Sequence, residues 1–153
     1  MASAAIEPAA CRALALADVA PPAEGAAMAM GTSLDAAAGA STAVTLASGL
    51  APAVLRKSIP TGELAKCAHM SMTVGGVKAT LKVTALGAVG SVPGVTVYRT
   101  DTALADGRKQ SMITARAVQH GVLITVLAAG GPNEKEAGTR AVKLLDAAAA
   151  LIK

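Results

Sequence analysis

From Cys67 to Ala85 the chain alternates with a period of two. Ala68, Met70, Met72 and Val74 interleave with Cys67, His69, Ser71 and Thr73, the pattern of a half-buried strand. Gly75-Gly76 supplies the positive-φ turn of a hairpin. The return strand sets Val77, Ala79, Leu81, Val83 and Ala85 against Lys78, Thr80, Lys82 and Thr84. Beyond a loop from Gly87 to Gly94, a strand is predicted over Val95 to Thr100, then a second loop around Asp106-Gly107. Another hairpin follows, Gln110 to Val118 and Val122 to Ala128, turning across Gln119-His120-Gly121. Gly130-Gly131-Pro132-Asn133 stops the sheet, and Asn133 is placed to cap a last helix. In that helix Ala137, Ala141, Leu144, Leu145, Ala148 and Ile152 share one face, with Lys135, Thr139, Arg140, Lys143 and Asp146 elsewhere.

The N-terminal third is less patterned. Glu7 to Val19 reads as a short helix, with Pro8 early, Cys11, Leu14, Leu16 and Val19 apolar, and Pro21-Pro22 as its stop. Ala20 to Gly49 is mostly Ala, Gly, Ser and Thr; Ser33 is a candidate cap and Thr42–Leu46 a candidate extended piece. Leu50 to Lys57 suits one or two helical turns from Pro52, and Pro60-Thr61-Gly62 a turn into the sheet. The expected fold is therefore α+β. An antiparallel sheet of about five strands is packed on one face by an N-terminal helix and a long C-terminal helix. The other face carries Lys78, Thr80, Lys82 and Thr84. Residues 1–153 form a single domain, in which 1–6 read as a disordered or foreign N-terminus.

Composition sharpens this picture. Hydrophobic residues make up 53% and charged residues 16%, a globular balance, yet there is no Trp, no Phe and one Tyr, Tyr98. The core must be filled with many small pieces. The alanine content reads as the imprint of a GC-rich genome. The net charge of +4 is scattered along the chain, and without aromatic platforms it excludes a nucleic-acid surface. No apolar run is long enough to span a bilayer. Glu7 and Pro8 stand where the apolar region of a signal peptide would be, and Met1-Ala2-Ser3 reads as a leftover of expression. A mature or trimmed ectodomain is expected.

The two cysteines, Cys11 and Cys67, suit one disulfide in an exported protein; the competing reading is two free buried thiols in the cytosol. On a strand, Cys67 and His69 would point to one face, the geometry of a thiolate–imidazole pair or of two metal ligands. A structural zinc wants four ligands, and His120, in a turn, is the only other histidine. A nucleophile would need an oxyanion site and an orienting group, and none stands nearby. Asp101 and Asp106 fall in or beside loops, while Glu134 and Glu136 suit a first helical turn. The glycine pairs lack phosphate-loop spacing, and Ser41, Ser91 and Ser111 lack a nucleophile elbow. Met28, Met30, Met70, Met72 and Met112 could adapt to an apolar ligand, with Met70, Met72 and Met112 the candidate lining. No catalytic residue, metal site or cofactor is assigned.

The pieces "AACRAL", "LAKCAHMSMTVGG" and "AVQHGVLITVLAAGG" resemble secreted actinobacterial lipoprotein and sensor domains of the mycobacterial serine/threonine-kinase ectodomain type. Cys11, Cys67 and Gly121 are the matching positions; a second cysteine pair and a tryptophan usual in that family are missing. The resemblance implies a bridge from an early helical cysteine to a cysteine leading a central strand. It also implies export, a cell-envelope address and ligand or partner binding. The expected function is thus a non-enzymatic extracytoplasmic binding or sensor domain. Alternatives are a carrier of a small apolar or lipid ligand, and a small enzyme using Cys67 and His69. The expected partner is a small molecule or an envelope protein. A lipid anchor on the precursor, and a monomer or weak dimer, complete the expectation.

Overall fold

Among the described residues eight strands, not five, form one antiparallel sheet. A computed structural model describes residues 4–17, 24–87 and 90–153. The elements are β1 (Ala5–Glu7), a 3-10 turn at Ala9–Cys11 running into α1 (Arg12–Ala15), β2 (Ala27–Asp35), β3 (Ala40–Ser48), α2 (Pro52–Ser58) and α3 (Glu63–Lys66). They continue with β4 (His69–Val74), β5 (Val77–Leu86), β6 (Thr96–Leu104), β7 (Lys109–Gln119), β8 (Val122–Ala129) and α4 (Glu134–Leu151). The strands lie in the order β1-β4-β5-β6-β7-β8-β3-β2. The expected roles of Val19 and Pro21-Pro22 lie outside the described residues.

The meander β4 to β8 follows the alternation seen in the sequence. Gly75 and Gly76 take φ of 57° and 83°, and His120 and Gly121 take 48° and 77°. Two successive positive φ values match the right-handed twist of the flanking strands, so both hairpins close in two residues. His120 is thus a turn residue, one of the few side chains that tolerate this conformation.

Four expectations are corrected. The small-residue stretch is a hairpin of two nine-residue strands, in which Ala27–Asp35 pairs with Ala40–Ser48 without a slip, and Ser33 lies inside β2 rather than capping a helix. The N-terminal helix shrinks to the 3-10 turn and the single turn of α1, because Glu7 extends into β1 and Leu16, at φ −102° and ψ 1°, leaves the helix. Residues 5–6, expected to be disordered, instead belong to β1, where Ile6 pairs with Met72 and is buried. And helices cover both faces of the sheet, each over a different half.

On one face α4 lies across β7 and β8. Ile113, Ala115, Ala117, Ile124, Val126 and Ala128 meet Ala137, Ala141, Leu145 and Ala148 there. Alanines on both partners, several with no exposed surface, let the helix sit close to the sheet, so many small contacts replace the missing aromatic rings. Asn133 caps the helix, its side chain accepting from the Glu136 N–H at 2.9 Å. Arg140 ties it to the strand ends, donating to Thr42 Oγ1 at 2.8 Å and to the Ala129 carbonyl at 3.1 Å.

The opposite face is covered by the connection from β3 to β4. That segment crosses five strand spacings, about 24 Å. It carries α2 and α3 over Tyr98, Thr114 and Arg116, all buried, and Arg116 donates to the Ser58 carbonyl at 3.1 Å. Leu64, Met70, Leu81, Val83 and Tyr98 form the cluster beneath it together with both cysteines. Cys11 and Cys67 are joined in a disulfide, with Cα atoms 5.6 Å apart.

Candidate functional site

The two covers are offset: on the α4 face Leu86 and Val97 pack into the core beneath α4, while β4 and the rest of β5 and β6 are left bare. Register aligns the polar residues of that bare area into rows. His69 stands opposite Lys82, Lys82 opposite Asp101, and Asp101 opposite Ser111, one residue from each of four adjacent strands. The next row runs from Glu7 through Ser71 and Thr80 to Ala103 and Lys109. Together these rows line an open cavity of about 520 Å³.

Its best-ordered part is built around Asp101. Arg99 Nε donates to Asp101 Oδ2 at 2.9 Å, and Ser111 Oγ donates to Asp101 Oδ1. Arg99 also pairs with Glu134 in the first turn of α4, so the carboxylate is held from the strand and the helix together. Lys82, Lys109, His69 and Thr80 surround it on exposed positions. The arrangement offers cationic and hydroxyl donors beside carboxylate acceptors. His69 and Ser111 are three strand spacings apart, about 14 Å, which is beyond any direct proton relay between them.

The expected pairing of Cys67 with His69 on one face does not form. Strand geometry starts at His69, and Cys67 closes α3 with φ −107° and ψ 25°. Cys67 is therefore buried on the disulfide side, while His69 is exposed on the other. A bridged sulfur is no thiolate, so the Cys–His enzyme reading loses its nucleophile. Nor do the candidate lining methionines gather. Met70 borders the polar cavity but is buried in the disulfide cluster, Met72 packs against that cluster, and Met112 lies half-buried on β7. Met28 and Met30 project from β2 at the far edge. Asp106 pairs with Arg108 at 2.7 Å, and Glu136 pairs with Arg140.

Arg99, Asp101, Ser111 and Glu134 were not legible as a group. The strand carrying Asp101 was expected to end at Thr100, and cross-strand register is invisible in a single sequence. The one available hint was the i, i+2 spacing of Arg99 and Asp101.

A second groove of about 870 Å³ lies beside α4, with Leu86, Val97 and Val142 as apolar lining and Lys135, Lys143 and Asp146 among its polar residues. Asp146 accepts from the Ser91 N–H at 3.1 Å there. Among the described residues no group of three or more His, Cys, Asp or Glu is arranged to hold a metal ion, and no helix is long and apolar enough to cross a membrane. Comparison with protein families, curated proteins and solved structures finds no match to this chain.

Proposed function

We propose that this chain is a non-enzymatic extracytoplasmic binding domain whose ligand surface is the bare polar area of β4 to β7. The observation that carries the reading is the row His69, Lys82, Asp101 and Ser111, left uncovered on the same sheet face that α4 covers over β7 and β8. Four unlike polar groups, fixed on rigid strands rather than on loops, are suited to reading a ligand with both acidic and hydroxyl groups. The disulfide supports the address, since such bridges persist in oxidising compartments. The resemblance of "AACRAL" and "LAKCAHMSMTVGG" to actinobacterial envelope sensor domains supports it too.

The reading is tested by titrating the 15N-labelled, oxidised protein with a fragment set of carboxylates, phosphates, saccharides and fatty acids. Polar fragments are expected to shift the amides of His69, Lys82, Asp101 and Ser111, and Lys82→Ala to abolish the response. Shifts confined to Leu86, Val97 and Val142 on addition of fatty acids would instead support a carrier of apolar ligands, the second reading, which rests on the groove beside α4. Response at neither place would overturn both.

A further inference from the structure

The two edges of the sheet are built to opposite rules. A free edge presents a row of backbone N–H and C=O groups that can pair with another chain, and proteins blunt it with short strands, charges or proline. The β1 edge uses all three: it is three residues long, carries Glu7 and runs straight into Pro8. The β2 edge is neither short nor interrupted by proline. It runs nine residues in unbroken register, and every one of those residues is exposed. It has no lysine, arginine or proline, and its single charge, Asp35, is turned to the Ala38 N–H in the following turn. Met30 and Leu34 are 70% and 80% exposed on the same face. Among the described residues nothing pairs with this strand on its outer side.

We propose that β2 pairs antiparallel with β2 of a second copy, about a two-fold axis at Gly31. That register keeps the residues with outward-pointing backbone groups opposite one another, as an antiparallel ladder requires. It sets Met28 against the partner's Leu34 and Met30 against the partner's Thr32, on one face. Asp35 falls opposite Ala27, so no like charges meet. Gly31 at the axis leaves the other face open, because a Cβ there would meet only Val44 Cγ1 at ordinary contact distance. The strand is about 31 Å long, and pairing it buries on the order of 1,000 Å² over both copies, the lower bound of a specific interface. The partner is a second copy rather than an unrelated strand because the edge is self-complementary in both pattern and charge. The dimer has one continuous sheet, with the two polar cavities at its outer ends.

Sedimentation velocity of the oxidised chain across a concentration series tests this, with Met30→Lys and Val77→Lys compared. Val77 is 58% exposed at the β4–β5 turn and is the control for losing an exposed apolar side chain. The wild type and Val77→Lys are expected to move from 14.9 kDa toward twice that mass. Met30→Lys, which brings two like charges together beside the axis, is expected to associate at least about tenfold more weakly. A wild type that stays monomeric throughout overturns the proposal. So does a Met30→Lys variant that dimerises like the wild type, or a Val77→Lys variant that loses association as fully as Met30→Lys.

Discussion

The covers on the two faces of the sheet are held in different ways. Over β7 and β8, α4 is an eighteen-residue helix with a cap, an arginine clamp and a continuous apolar stripe. Over β4 to β6, the cover is two single helical turns and a crossing segment, whose buried cluster numbers seven residues, both cysteines among them. One cover is held by packing, and the other relies on a covalent tie. The polar row His69, Lys82, Asp101 and Ser111 is carried on the back of the tied half. The difference teaches that the polar row and the disulfide lie on opposite faces of the same strands, so loosening the tied half is expected to disturb the row as well.

The largest effect expected from breaking the contrast is removal of the bridge. The bridge spans a sequence separation of 56. A closure of that length stabilises by about 4 kcal/mol on the chain-entropy account, so reduction, or joint replacement of Cys11 and Cys67 by Ser, should lower the thermal midpoint strongly. A melt with and without reductant checks it.

Next comes Gly130→Ala, on the α4 side. Gly130 has φ of 67°, and a Cβ there would overlap the Gly39 carbonyl oxygen, a backbone atom with little freedom to retreat. A loss of about 3 kcal/mol is expected in denaturant unfolding. Ala141→Leu, forcing extra volume between α4 and the sheet, should cost about 2 kcal/mol in the same measurement. Asn133→Ala, which removes the cap of α4, should cost about 1 kcal/mol. Smallest is Lys82→Ala: on an exposed strand position it should change stability by less than about 0.5 kcal/mol while removing ligand response. That last variant separates the site from the scaffold.

The β4–β5 and β7–β8 hairpins, the Asn133 cap and the Cys11–Cys67 bridge could all be read in the sequence. Each is encoded locally or by elimination: alternation with glycine turns, an Asn before acidic residues, and two cysteines with no other partner. The β2–β3 hairpin could not. Its strands are Ala, Ser, Thr and Gly with few large side chains, and β3 is half-buried on both faces, with Val44 and Leu46 toward α4 and Ala43 and Ala47 away from it. Burial on both sides erases the period of two, which is the signal a strand search depends on. The alternation of Met28 and Met30 was the surviving trace, hidden among alanines. The site failed to show for a related reason. A strand ended at Thr100, four residues short of Leu104, left Asp101 in a loop, and a strand begun two residues early at Cys67 put a buried sulfur beside an exposed imidazole.

Hydrogen exchange of the backbone amides, compared between oxidised and reduced protein, tests most directly whether the strands carrying the polar row depend on the bridge. On reduction, β4 and β5 should lose protection around Met70, Leu81 and Val83, while β7 and β8 keep theirs around Ala115, Ile124 and Val126. Equal loss across the whole sheet, or no loss at β4 and β5, would contradict the account.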